Sequence, residues 1–163
     1  MKNTRKGPNP INQKRKLVIV DIENLCERPD VDEPAAKSMK DRLVEILKIG
    51  ELDLVIIGVT HPKNWLNARY GWPWARCEFQ PGSSGAEIAL IKTMRSMGER
   101  LLTFQEIVIA SGDGIFSGIA QDLSDLGIHV TVVSSPKPLS TRLSFSCEKV
   151  LDIGSAAEPT TTF

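Results

Sequence analysis

The stretch Glu106-Ile-Val-Ile-Ala-Ser-Gly-Asp-Gly114 leaves the chain few options. Four apolar residues, three of them β-branched, run from Ile107 to Ala110 and stop abruptly at Ser111-Gly-Asp-Gly114. A run this short and this uniformly apolar predicts a strand buried on both faces, as in a parallel sheet. Apolar residues at Phe116, Ile119, Ala120, Leu123 and Leu126 then predict a helix, closed by Gly127. Such a strand–turn–helix junction holds Asp113 at the carboxyl end of a buried strand, where open α/β sheets bind ligands. An aspartate there also serves as an ordinary helix cap, and one motif alone does not separate the two readings.

Other apolar runs repeat the pattern. Leu17-Val-Ile-Val20 is an expected first strand, ending in Asp21-Ile-Glu-Asn-Leu25, and residues 52–59 are a second. Between them Pro34 suits a first helical turn. Ala36, Met39, Leu43, Ile46 and Leu47 keep helical spacing as far as Gly50, which is expected to close that helix. A short helix is expected around residues 64–70, a short strand over 76–79 and a helix over 86–97. Residues 129–133 and 149–153 are expected strands, with a short helix capped by Ser140 between them. Strands alternating with helices predict an α/β fold with a mostly parallel central sheet and helices on both faces. At 163 residues, with 41% hydrophobic and 25% charged residues, the chain reads as one ordinary soluble domain.

Net charge is zero but unevenly spread. Lys2, Arg5, Lys6, Lys14, Arg15 and Lys16 precede the first apolar run, and no acid falls among residues 1–20. Residues 1–16 are therefore expected to form a flexible basic arm, residues 17–153 the domain and residues 154–163 a frayed tail. A basic arm on an acidic body gathers phosphate-rich polymers, or it serves only as a solubilising tail. No stretch is long and apolar enough for a secretion signal or a membrane span. Cys26, Cys77 and Cys147 are odd in number and scattered, which predicts free thiols in a reducing cytoplasm.

Asp21 ends the first strand as Asp113 ends the central one. If those strands are neighbours, both carboxylates face one crevice. Two carboxylates side by side repel unless a proton or a cation intervenes. With only His61 and His129 in the chain, oxygen ligands favour Mg²⁺ or Mn²⁺ over zinc. Glu87 follows a glycine-containing loop at a first helical turn, where an acid suits the helix dipole; beside Asp21 and Asp113 it becomes a candidate third ligand. Asn24 either shapes the turn after Asp21 or holds a ligand, and Glu23 reads as a solvated loop acid. A phosphate-binding loop ending in Gly-Lys-Ser/Thr, a glycine-rich dinucleotide turn and a Gly-x-Ser-x-Gly elbow around Ser111 are all missing.

Trp65, Tyr70, Trp72 and Trp74 fall among Lys63, Arg69 and Arg76. Aromatics interleaved with bases stack unpaired nucleobases and hold phosphates, or they pack a helix onto the sheet edge. On the first reading Arg69, Trp72 and Arg76 are candidate substrate-binding residues.

Taken together, Val18-Ile-Val-Asp-Ile-Glu-Asn-Leu25, Gly85-Ala-Glu-Ile-Ala-Leu90 and Val108-Ile-Ala-Ser-Gly-Asp-Gly-Ile-Phe116 resemble an NYN domain, a branch of the PIN-like nuclease superfamily. Gly127-Ile-His-Val-Thr-Val-Val133 and Ser140 to Leu143 are also in family style, so the resemblance spans about residues 17–153. It implies a PIN-like three-layer α/β/α fold with strand order 3-2-1-4-5, which sets the first and fourth strands side by side. It implies a Mg²⁺- or Mn²⁺-dependent ribonuclease in which Asp21, Glu87 and Asp113 are the catalytic, metal-binding acids. Asn24 and Ser111 would stand beside them and orient substrate. One departure is Ile115, where many relatives carry a further aspartate. The expected partner is RNA, with a second copy of the chain as an option and no membrane. The alternative is a non-catalytic RNA- or partner-binding module that retains the fold.

Overall fold

Each apolar run becomes a strand of one sheet in the computed structural model, which describes residues 14–155. The strands are β1 (Lys16–Asp21), β2 (Leu54–Val59), β3 (Arg76–Phe79), β4 (Glu106–Ala110), β5 (His129–Ser134) and β6 (Lys149–Asp152). They lie in the order β3-β2-β1-β4-β5-β6, and every neighbouring pair is parallel. The helices are α1 (Ile22–Cys26), α2 (Glu33–Leu47), α3 (Pro62–Gly71), α4 (Gly85–Met97), α5 (Ser117–Asp125) and α6 (Thr141–Phe145). The sheet is the middle of three α/β/α layers, and the expected order is extended by β6 at one edge.

The period-2 geometry of a strand divides the core in two. Val18, Val20, Val55, Ile57, Val108 and Ala110 point to the face covered by α1, α2 and α3. Leu17, Ile19, Ile56, Ile107, Ile109 and Val132 point to the face covered by α4, α5 and α6. Right-handed crossovers account for that segregation. Connections stepping from β1 through β2 to β3 occupy one face. Those from β3 to β4 and onward to β6 occupy the other. The direction of travel reverses between β1 and β4, so their carboxyl ends flank the topological switch point.

Several boundaries differ from the sequence expectation for local reasons. The segment after Asp21 is a short helix, α1, because the Asp21 carboxylate accepts from the Asn24 N–H and caps it. Helix α2 ends at Lys48, whose left-handed φ of 52° turns the chain. Gly50 instead donates its N–H to Asp53 Oδ2 at 2.8 Å, and Leu52 stays in the turn before β2. Leu126 falls past the end of α5 and is 63% exposed, so it does not join the apolar stripe. Of the expected basic arm, residues 1–13 lie outside the described residues. Lys16 opens β1 and pairs with Asp53 at 3.1 Å, and Arg15 lies over the Phe104 ring. The tail beyond residue 155 also lies outside the described residues. Among the described residues no helix is long and apolar enough to cross a membrane.

Trp72 is the largest fully buried side chain and packs in the core with α2 and α3. Its Nε1–H is buried with no hydrogen-bond partner among the described residues. Trp72→Ala should therefore cost about 3–5 kcal/mol of stability through the cavity it leaves. Trp72→Phe, which removes the unpartnered donor, should cost less than half as much. Denaturant unfolding of the two variants checks the ratio.

Candidate functional site

Strand parity brings the site together. Asp21 continues the Leu17–Ile19 parity of β1 and so faces the α4 side of the sheet. Ser111 continues the Ile107–Ile109 parity of β4, one residue beyond the last pair, Val20↔Ala110. The two side chains meet: Ser111 Oγ donates to Asp21 Oδ2 at 3.2 Å. Ser111 Oγ also accepts from the Asp113 N–H at 3.2 Å, which fixes the turn that presents Asp113. Asp113 Oδ1 accepts from the Ile115 N–H at 3.0 Å and caps the 3-10 turn Gly114–Phe116. Asn24 bridges the same gap, its Oδ1 accepting from the Gly112 N–H at 3.0 Å.

Glu87 joins from α4, and a missing side chain lets it do so. Gly58 is the β2 residue paired with Asp21. A Cβ on Gly58 would lie 2.6 Å from Leu90 Cγ and 2.8 Å from the Ala86 carbonyl oxygen. The first turn of α4 therefore seats directly on the strand beside Asp21. Gly112 is equally constrained, since a Cβ there would meet Ser134 Oγ at 2.4 Å and the Pro138 carbonyl.

The electrostatics follow from this burial. Asp21 is 1% exposed. Burial first, and the neighbouring Glu87 carboxylate second, push its carboxyl from 3.8 up to about 8. Burial also raises Glu87, and so does its contact with Asp113. Glu87 thus interacts with both aspartates. Among the described residues, however, no three His, Cys, Asp or Glu side chains form a group that could hold a metal by themselves.

The remaining candidates distribute differently. Ser111 is fully buried, so it holds Asp21 and the Asp113 turn and does not reach a substrate. Glu23 is no solvated loop acid: it accepts from the Thr60 N–H at 2.9 Å and from Asn64 Nδ2 at 2.5 Å, tying α1 to α3. Trp72 is 0% exposed and cannot stack a nucleobase. Trp74 packs edge-on against it and lines a hollow with Gly50 and Asp53, at the opposite end of the sheet from Asp21. Arg69 lies over the Trp65 ring at 4.7 Å, and Arg76 pairs with Glu78 at 2.6 Å. Neither arginine is brought to the carboxylates. Trp65 and Trp72 pack α3 against the core, while Tyr70 and Trp74 stay exposed.

What the sequence reading missed is a groove of about 770 Å³ beside the carboxylates, lined in part by Glu23, Thr60, His61 and Phe79. Three separate segments form it, so no single motif marks it.

The fold is similar to that of VPA0982, a protein of unknown function from Vibrio parahaemolyticus. Identity is 15%, coverage is 86% of this chain and 93% of that one, and the TM-score is 0.59. YcaC from Pseudomonas aeruginosa is similar at 12% identity, over 94% of this chain and 82% of that one, with a TM-score of 0.48. Likeness at these identities concerns the fold alone. No family model matches the chain, and neither does any curated relative.

The raised Asp21 carboxyl makes stability depend on pH. Unfolded, Asp21 ionises near 3.8; folded, near 8. Its contribution to stability is therefore full below 3.8 and is lost as the pH climbs towards 8. In EDTA, the melting temperature of Asp21→Asn relative to wild type should rise steadily from pH 5 to pH 8.5. A difference that stays constant with pH would contradict the burial argument.

Proposed function

We propose that this chain is a divalent-metal-dependent ribonuclease of NYN type that hydrolyses RNA phosphodiester bonds. The observation that carries the reading is the meeting of Asp21, Glu87 and Asp113, from three distant segments, at the switch point of a parallel sheet. Open α/β sheets bind ligands at that place.

The donor chemistry fits Mg²⁺ or Mn²⁺. The set is all oxygen, and a buried carboxylate with a carboxylate neighbour is stabilised by a cation as well as by a proton. Mg²⁺ is commonly held by one or two carboxylates together with substrate phosphates, so a closed three-carboxylate cage is not required. Asp21 and Asp113, with Glu87 between them, are the residues that would hold it. Once bound, the ion supplies positive charge where negative charge develops on the phosphate.

The chain's own residues do the rest. Ser111 and Asn24 fix the Asp21 carboxylate and the Gly112 backbone, so the acids do not reorganise when substrate arrives. Glu87, half-buried and raised, is suited to accept a proton from the attacking water. Three half-buried thiols suit a reducing cytoplasm, where we place the protein.

A second reading, a non-catalytic RNA- or partner-binding module, is favoured by Ile115, an exposed apolar residue where many NYN relatives have an acid. Cleavage of labelled single-stranded RNA in Mn²⁺, Mg²⁺ and EDTA separates the two. Asp113→Asn should reduce metal-dependent cleavage at least about 100-fold, the scale on which lost charge stabilisation acts, while its melting temperature stays close to wild type. Cleavage undiminished in Asp113→Asn overturns the assignment. Ile115→Asp, which adds an acid beside Asp113, should lower the Mn²⁺ concentration needed for half-maximal thermal stabilisation.

A further inference from the structure

We propose that the groove beside the carboxylates seats one unpaired nucleobase of the RNA strand, stacked on Phe79; the inference rests on the ribonuclease reading for its ligand. The groove opens at the carboxyl ends of β1, β2 and β3, and α1 and the loop before α4 close its sides. Thr60 is the wall it shares with the acidic site. The Thr60 N–H donates to Glu23, which lines the groove, and Thr60 Oγ1 accepts from the Ala86 N–H, one residue before Glu87. A ligand in the groove is thus one side chain away from the α4 turn that carries Glu87.

The lining suits a flat, partly apolar group. Phe79, the last residue of β3, is 42% exposed. Pro29, Pro62 and Pro81 add three rigid apolar walls. At about 770 Å³ the groove lies within the usual range for small-ligand sites. Arg28 and His61 stand on its rim, exposed, as partners for a sugar-phosphate backbone. Arg28 pairs with the exposed Asp32 at 3.8 Å, a weak competitor. Glu27 also lines the groove, and Glu23 is held by Thr60 and Asn64.

The register sets the distance. Phe79 pairs with Val59, one residue beyond the level of Asp21↔Gly58, and β3 lies two strands from β1. Phe79 shares the parity of Cys77 and Val59 and faces the α3 side, whereas Asp21 faces α4, so one strand of nucleic acid would cross the carboxyl edge of the sheet, over two strand spacings or about 10 Å, between the groove and the acids. A base stacked and paired inside a duplex has no free face to offer Phe79, so the groove selects unpaired RNA. Stacking on an aromatic face is tolerant of sequence because every base has one.

The test uses the full chain and a fluorescein-labelled oligouridine, read by anisotropy in Ca²⁺ and, in parallel, by cleavage in Mn²⁺. Phe79→Ala should weaken oligouridine binding about ten-fold or more, Phe79→Trp should retain it, and Mn²⁺-induced thermal stabilisation should be unchanged in both. A blunt-ended duplex with no unpaired run should bind wild type and Phe79→Ala alike. Unchanged oligouridine binding by a folded Phe79→Ala protein overturns the groove assignment and leaves the nuclease reading standing if cleavage persists. Groove-dependent binding without cleavage supports the groove and overturns the nuclease reading. Failure of wild type to bind or cleave overturns both.

Discussion

A carboxylate taken out of water has to be satisfied by something. Asp21 is almost wholly buried; the Ser111 hydroxyl and the Asn24 N–H at 3.4 Å donate to it, and Glu87 lies against it. Two hydrogen bonds do not offset the burial and the adjacent Glu87, so the group holds its proton to about 8. The sheet's carboxyl edge is arranged around this one under-compensated acid. Ser111 is spent on it, α1 begins from it, and Glu87 sits beside it. An acid kept under such strain in the middle of an otherwise apolar sheet is a common signature of a functional position, since a purely structural site would favour an apolar residue there.

The fold was legible because its signals are local. Leu17 to Val20, residues 54–59 and Ile107 to Ala110 are each too short for a helix and too apolar for a solvent-facing strand. The acids were legible for a related reason: Asp21, Glu87 and Asp113 each sit at an element boundary that the sequence marks. The aromatic segment was misleading because composition carries no depth. Trp72 and Trp74 are two residues apart, yet one is wholly buried and the other half-exposed. Aromatics among bases look the same whether they cover a core or face a ligand. Leu126 failed in the same way, its spacing correct but its position past the helix end. The groove at Phe79 was invisible because α1, the segment after β2 and the stretch from Phe79 to Ser84 meet only in three dimensions.

Likeness to VPA0982 fixes the architecture and nothing more. Doubly wound sheets serve many chemistries, and what distinguishes them is the set of side chains at the switch point. Here that set is acidic and free of histidine and thiolate. The ring of polar residues behind it, Ser111, Asn24 and Thr60, is occupied with backbone N–H groups. Such groups set positions. They leave Glu87 and Asp113 as the part-exposed carboxylates of the set.

Gly58 has no side chain, and the separation of α4 from the sheet is set there. The helix rests on bare backbone at the level of Asp21. The gap between Glu87 and Asp21 can therefore be widened by any side chain at position 58 but narrowed by none. Variation at this position thus acts as a one-way ratchet: a larger residue would push Leu90 and the first turn of α4, and Glu87 with it, off the sheet.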